Sequence, residues 1–283
     1  MSFMLPKSMD RPKAPQGKSH HRRVEPGSII AVASGKGGVG KTFMSITLAS
    51  AFAQQGQRTL LVDGDLGLAN VDVQLGIEPI TDIAAVIAGW VELEDAVTPV
   101  DGGAGDGGFD VLPGRSGSGA LAELSSDEVS RLAAGLTTLS LQYDKIVLDL
   151  GAGIEANCMR LARAADKALI VITDDPSSMT DGYAFMKVLR GYAPDVDQHV
   201  AINQAANRAM GQQTYEAIAM ACRKFQGYRP PLAGIVHRDE KVREAVRCQR
   251  TLISTDPTAQ PIQDAIAIAQ TFIGRSGGRD LHY

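Results

Sequence analysis

Eight consecutive residues, Gly35-Lys36-Gly37-Gly38-Val39-Gly40-Lys41-Thr42, have the types and spacing that hold a nucleoside triphosphate. The pattern G-x-x-x-x-G-K-S/T works because glycines let successive backbone N–H groups curl around phosphate oxygens, while a following helix turns its positive end to the same anion. In that arrangement Lys41 reaches the β- and γ-phosphates and the Thr42 hydroxyl ligates Mg²⁺. Lys36 is a second cation within the loop, where Lys41 already neutralises the triphosphate. Two apolar runs downstream end in carboxylates: Leu60-Leu61-Val62 leads into Asp63-Gly64-Asp65, and Lys145-Ile146-Val147-Leu148 into Asp149. A metal carried with a triphosphate takes oxygen ligands, usually water held by carboxylates, and an attacking water needs an acceptor in line with the γ-phosphate. Asp65 is the candidate for orienting that water, and Asp63 and Asp149 are candidates for the outer shell of Mg²⁺. A single Asp at a strand end more often caps a turn; three in order behind a phosphate loop point to chemistry.

The elements that must position these groups alternate between strand and helix. Ile29 to Ser34 reads as a buried parallel strand feeding the loop, and Phe43 to Gln55 as the helix leaving it. Further strands are expected at Thr59 to Asp63, Phe109 to Leu112, Asp144 to Asp149, Lys167 to Thr173, Gln198 to Ile202 and Leu232 to Val236. Helical segments are expected near Asp82 to Ala88, Leu93 to Val97, Asp127 to Leu139 and Pro261 to Ile273, with a helix after each of the last three strands. This is the pattern of an α/β fold, a doubly wound and mostly parallel sheet with helices on both faces. Carboxylates at strand ends then emerge at the carboxyl edge, where such sheets bind ligands.

The loop Lys36-Gly37-Gly38-Val39-Gly40-Lys41-Thr42 resembles the deviant Walker A loop of the MinD/ParA family of P-loop ATPases. The likeness is greatest to its FlhG/FleN (YlxH-type) branch, which controls flagellar number and placement. It is carried by Asp63-Gly64-Asp65-Leu66-Gly67-Leu68-Ala69-Asn70-Val71-Asp72-Val73-Gln74-Leu75-Gly76, by Leu112-Pro113-Gly114 and by Ala122-Glu123-Leu124-Ser125. Asp175-Pro176-Ser177-Ser178-Met179-Thr180-Asp181-Gly182-Tyr183-Ala184 and Arg238-Asp239-Glu240-Lys241-Val242-Arg243-Glu244-Ala245-Val246-Arg247-Cys248-Gln249-Arg250 extend it, so that it runs from about residue 28 to 274. The resemblance implies slow, switch-type ATP hydrolysis with Mg²⁺ and an ATP-dependent homodimer in which Lys36 contacts the partner's phosphates. It also implies that Asp65 positions the hydrolytic water and that Asn203 sits where family members contact adenine; an ordinary loop-capping Asn is the other reading of that residue. A protein partner, a flagellar regulator or basal-body component, is implied too. Alternatives remain open: a ParA-like partitioner that binds DNA, an ATP-dependent amidoligase, or an iron–sulfur reductase of the nitrogenase type, for which no paired cluster cysteines are found.

The chain departs from the branch in three places. The short N-terminal motif that stimulates the partner GTPase FlhF is not found among Met1 to Gly27, and Gly234-Ile235-Val236-His237, which the resemblance makes the adenine-side loop, lacks the proline usual there in the family. The last helix carries Ile262, Ala265, Ile266, Ala269, Phe272 and Ile273 on one face without bordering cations, whereas a membrane-surface helix needs them. It reads as a core helix, and contact with the inner face of the plasma membrane is an option that the sequence supports little.

With 283 residues, 44% of them hydrophobic, and a net charge of −4, the chain can bury a large core and falls in no fibrous or disordered class. No run approaches the roughly 20 apolar residues of a membrane span, so a cytoplasmic location is expected. Cys158, Cys222 and Cys248 lack C-x-x-C spacing and read as buried structural thiols. Residues 1–27 read as a disordered basic arm, 28–274 as the ATPase domain and 275–283 as a flexible tail. Asp101 to Gly108 reads as a mobile glycine-rich loop between helix and strand, and Arg243, Arg247 and Arg250 as one solvated helix face.

Overall fold

The structure, a computed structural model, describes residues 26–105, 107–114 and 124–273. The basic arm up to residue 25, the tail 275–283 and the first two residues of the 122–125 motif lie outside the described residues. The chain order is β1 Ser28–Ser34, α1 Lys41–Gln54, β2 Thr59–Gly64, α2 Val71–Leu75, α3 Ile83–Ile87, β3 Thr98–Val100, β4 Phe109–Leu112, α4 Ser126–Leu139 and β5 Lys145–Ala152. It continues with α5 Ala156–Arg163, β6 Lys167–Ile172, α6 Pro176–Tyr192, β7 Asp197–Ala205, α7 Arg208–Gln226, β8 Leu232–His237, α8 Glu240–Arg247, α9 Leu252–Thr255 and α10 Gln260–Ile273.

The eight strands form one sheet in the order β3-β4-β2-β5-β1-β6-β7-β8, parallel throughout except where β3 pairs antiparallel with β4. Every central strand is apolar on both sides because both faces are covered. Ile29, Ala31 and Ala33 join Leu136, Leu161, Phe185 and Ile218 of α4 to α7 in one core. Ile30 and Val32 join Met44, Leu48 and Phe52 of α1 and Ile268 and Phe272 of α10 in the other. β1 lies at the centre, with β5 on one side and β6 on the other. The chain leaves β1 for β2 over one face, and leaves β5 for β6 over the opposite face. The strand order therefore reverses at β1, and its carboxyl end is the crevice where a doubly wound sheet binds its ligand. The phosphate loop starts there.

The structure alters several sequence expectations. The helix after the loop starts at Lys41, before Phe43, so Lys41 and Thr42 belong to its first turn. Thr98–Val100 is an unexpected edge strand; its Pro99 is tolerated because only one side of an edge strand is paired. The segment 101–108 thereby connects two antiparallel strands rather than a helix and a strand, with Gly103 donating to the Val100 carbonyl at 3.0 Å. The segment expected to be helical near Leu93 is a single 3-10 turn, Glu94–Ala96. α8 ends at Arg247, so Arg250 lies beyond the face that Arg243 and Arg247 share. Cys158 and Cys222 are buried, but Cys248 is exposed. The last helix is the expected core element, with Ile262, Ala265, Ala269 and Phe272 buried and Ile266 and Ile273 packed against the core.

Candidate nucleotide site

The geometry of the phosphate loop follows from what α1 lacks. α4, α6, α7 and α8 each begin on a side chain that accepts a backbone N–H: Ser125, Asp175, Asn207 and Asp239. α1 begins on Gly40 with no side-chain cap and no acid in its first turn. The first N–H groups of a helix have no partner within it and carry partial positive charge, so this end is left open to an anion. Gly40 has φ +91°, and a Cβ there would lie 2.4 Å from the Asn203 amide nitrogen, which restricts the position to glycine. Gly35 is restricted by packing, since its Cβ would collide with the α6 backbone at Asp181.

Two side chains from β7 brace the loop from outside. Asn203 Nδ2 donates to the Val39 carbonyl at 2.7 Å and Gln204 Nε2 to the Gly38 carbonyl at 3.4 Å. With those carbonyls held, the loop's N–H groups stay free to face a phosphate. Neighbouring residues of a strand normally point to opposite faces. Here Gln204 takes φ +57°, and the pairing of β7 with β8 shifts between Ile202 and Ala205, so both side chains reach one target. Asn203 thus lies inside β7, almost fully buried, instead of in a loop after a strand.

Lys41 is buried in the loop. The Thr42 hydroxyl bonds to Asp149, and the Ser45 hydroxyl donates to Asp149 Oδ1 at 2.8 Å. Burial pushes the Asp149 carboxyl up to about 6, against the lowering effect of Thr42, Ser45 and Lys41. Asp63 is its register partner on β2 and is pushed up to about 7, first by burial and then by the Asp149 charge. The Asp63 oxygens accept the backbone N–H groups of Asp65, Asn70 and Val71 at 3.2, 2.9 and 3.0 Å. These bonds make Asp63 the anchor of the 65–71 loop and leave Asp149, joined to Thr42, as the carboxylate next to the candidate metal ligand. Asp65 Oδ1 accepts from Leu68 N–H at 2.9 Å, and the side chain lies against Gly151, where a Cβ would sit 3.2 Å from it. Its Oδ2 accepts nothing among the described residues. The loop, Asp65, Asn70, Glu155, Cys158 and Arg243 line a cavity of about 720 Å³.

Lys36 turns away from this cavity. Its Nζ lies 3.3 Å from Asp175 Oδ1 and bonds the Ser177 hydroxyl, at the start of α6. Asp175 is held well below the usual carboxylate range by Ser177, whose hydroxyl and backbone N–H both donate to it, by the Ser178 N–H, and lastly by Lys36. The structure therefore brings Lys41, Thr42, Asp63, Asp65, Asp149 and Asn203 to one crevice and holds Lys36 at its rim. Sequence reading missed Ser45, Gln204, and the Asp175–Ser177 pair as a seat for Lys36. Asp-Pro-Ser is legible as a helix start, but nothing local ties it to a lysine 139 residues away.

The donor set suits a triphosphate carried with Mg²⁺. The uncapped helix end and buried Lys41 suit the phosphates, and Thr42 with Asp149 suits a cation that also binds those phosphates. Among the described residues no group of three or more His, Cys, Asp or Glu forms a cation cage. Mg²⁺ in such sites is held through one or two protein oxygens plus the phosphates.

Residues 30–252 match the family model described as the CobQ/CobB/MinD/ParA nucleotide binding domain. The chain is 36% identical over 247 residues to the antiactivator FleN of Pseudomonas aeruginosa, covering 87% of this chain and 86% of that protein. It is 36% identical over 195 residues to the flagellum site-determining protein YlxH of Helicobacter pylori, covering 67% of this chain and 62% of the other. Among solved structures, MinD complexed with Mg-ADP from Pyrococcus horikoshii shares the fold with a TM-score of 0.74 at 24% identity, covering 88% of this chain and 97% of that one.

Proposed function

Because this chain belongs to the CobQ/CobB/MinD/ParA nucleotide-binding family, and within it is similar to FleN and YlxH over much of its length, we propose that it is an ATP-driven dimerisation switch regulating flagellar number or placement. It is an ATPase of MinD/ParA type that uses ATP and Mg²⁺. The observation that carries the switch reading is the division of labour between its two loop lysines. Lys41 is buried in its own phosphate loop, while Lys36 stands 40% exposed at the rim, free of the chain's own cavity. A second cation so placed serves a triphosphate bound by a second copy of the chain.

In this reading the loop N–H groups and Lys41 bind the β- and γ-phosphates, with Asn203 and Gln204 fixing the loop. Thr42, with Asp149 bonded to it, would hold Mg²⁺, which supplies charge neutralisation on the phosphates. Asp65 accepts a hydrogen bond from the attacking water and aligns it, its own position set by the turn through Leu68. ATP completes a dimer interface that ADP does not, so hydrolysis releases the dimer and whatever protein it holds. Among the described residues no helix is long and apolar enough to cross a membrane. A peripheral membrane contact is carried only by the dimer in this reading, and DNA is its alternative.

The test combines chemistry and cells. The purified chain should hydrolyse ATP and approach twice its mass in light scattering with a non-hydrolysable ATP analogue. Lys41→Ala should lose nucleotide binding, dimer formation and flagellar control together. Unchanged ATP affinity on titration calorimetry would sink the phosphate-loop assignment. Normal flagellar number in cells carrying Lys41→Ala would sink the regulatory one.

A further inference from the structure

We infer that the chain's own basic N-terminal arm docks through Arg11-Pro12-Lys13-Ala14-Pro15 on the exposed ring of Trp90, with Glu92, Glu94 and Asp95 facing its cations. This surface belongs to the edge of the sheet rather than to the nucleotide crevice, so its test does not depend on nucleotide.

From Thr59 to Gly114 the chain carries eleven Asp and Glu residues and no Lys, Arg or His, although its overall net charge is only −4. The segment builds the β3-β4-β2 side of the sheet, which is therefore strongly acidic. Between α3 and β3 its residues alternate in burial. Val91 and Leu93 pack against the core, while Trp90, Glu92 and Glu94 stand exposed beside Asp95. Trp90 is 76% exposed and Ile80 99%. The Thr81 hydroxyl donates to the Asp95 carbonyl at 3.3 Å, which brings Ile80 to the same surface. Among the described residues no side chain pairs with those of Trp90, Glu92, Glu94 or Asp95. Tryptophan is on average a highly buried residue, so a ring standing out among carboxylates marks a surface that a cationic partner covers.

The arm supplies that partner's chemistry. Residues 1–25 contain Lys7, Arg11, Lys13, Lys18, Arg22 and Arg23 against Asp10 and Glu25. Pro12 and Pro15 are three apart, the spacing that sets both rings on one face of a polyproline helix, and such segments dock on aromatic surfaces at low entropic cost. A guanidinium or ammonium beside them is drawn both to the indole face and to the carboxylates around it. The arm is also rooted close by. Gly27 N–H donates to the Ser140 carbonyl at the end of α4. Leu93 packs against Gly135 of the same helix, where a Cβ would lie 2.7 Å from the leucine side chain. Five helical residues span about 7.5 Å, so the root of the arm and the 90–95 surface are neighbours along α4. The ten residues 16–25 can extend over about 33 Å, enough to bring Pro12 and Pro15 to Trp90 of the same chain. At the millimolar effective concentration of a short tether, a contact with a Kd of about 1 mM is already half-formed.

Trp90 is the only tryptophan in the sequence, so its fluorescence reads this surface alone. The experiment measures acrylamide quenching of the full chain in dilute solution, without nucleotide, against the full-length variant Arg11→Glu with Lys13→Glu. Quenching should rise by about twofold in the variant. Salt at about 1 M should bring the wild-type chain to the same value. Glu92→Lys with Glu94→Lys should act like the arm variant, and combining the two pairs should restore protection, which altered folding cannot do. Wild-type and arm-variant chains that quench alike overturn the inference, as does a combination that stays as exposed as either pair alone. Protection that salt leaves unchanged overturns the charge pairing on which it stands. Protection that appears only as chain concentration rises assigns the arm to a second copy and overturns docking within one chain.

Discussion

Asp149→Asn isolates what the buried carboxylate costs the fold from what it contributes to the site. Asp149 is 1% exposed, and burial moves its carboxyl from 3.8 to about 6. The unfolded chain ionises near the lower value and the folded chain near the higher one. The stability contributed by the retained proton is thus present below about pH 4 and lost as pH rises through about 6. At about 1.4 kcal/mol per pH unit, two units amount to roughly 3 kcal/mol of stability missing at pH 8. An amide at this position is never ionised. It can still accept the Ser45 hydroxyl, and its N–H₂ can meet the Thr42 oxygen, so the bonds lost are worth about 1 kcal/mol. Without nucleotide, Asp149→Asn should therefore be more stable than wild type by about 1–3 kcal/mol at pH 8, with that advantage smaller by about 1.4 kcal/mol at pH 5, where the unfolded chain is already ionised and the folded one mostly is not. Asp63 reinforces the trend: the Asp149 charge is the second cause of its rise to about 7, so the substitution also eases the ionisation of Asp63. Denaturant unfolding of the nucleotide-free protein at the two pH values measures the difference. The same variant should lose Mg²⁺-dependent hydrolysis, a trade between stability and function. Equal destabilisation at pH 5 and pH 8 would refute the reasoning, for it would mean that the carboxylate is structural.

Three further outcomes are expected. Lys36→Ala should keep most of the ATP affinity of the single chain yet lose ATP-dependent dimerisation and turnover; a variant that dimerises like wild type in light scattering removes the trans role of Lys36. Asp65→Ala should lower hydrolysis at least a hundredfold while changing ATP affinity little, trapping the ATP-bound dimer. Co-sedimentation of that dimer with liposomes and with DNA distinguishes the candidate partners, and wild-type turnover would transfer the water-orienting role elsewhere. Gln204→Val should destabilise the fold by about 1–2 kcal/mol because of the positive φ, whereas Gln204→Gly should cost much less; equal losses in thermal unfolding would show that the bulge is unstrained.

The parts of the site that could be read in the sequence are those whose partners lie close along the chain or whose chemistry is tied to a spacing. The phosphate loop is one contiguous stretch between a buried strand and a helix, so its order alone predicts its geometry. Asp63, Asp65 and Asp149 are legible because a parallel strand buried on both faces must deliver its terminal residue to the carboxyl edge. Their division of roles is not legible. It depends on which amides surround each carboxylate: the 65–71 loop encloses Asp63, and the first turn of α1 supplies hydroxyls to Asp149. The edge strand at Thr98–Val100 was hidden for another reason. Three residues containing a proline carry no period-two signal, and only pairing with β4 makes them a strand.

The bulge at the end of β7 shows why the remainder lies beyond local reading. Alternation along Val200-Ala201-Ile202-Asn203-Gln204 assigns Asn203 and Gln204 to opposite faces, so at most one of them could be expected at the loop. A single left-handed residue at Gln204 breaks that period and brings both amides to consecutive loop carbonyls, Gly38 and Val39. The bulge also shifts the β7–β8 pairing so that Ala205 sits opposite His237. One departure from regular strand geometry thus braces the phosphate end of the site from β7 and sets the register in which β8 ends beside it. Strain of this kind persists only where the surroundings over-determine it. Here the phosphate loop, built from residues far away in the chain, supplies that constraint through the two amide bonds to its carbonyls.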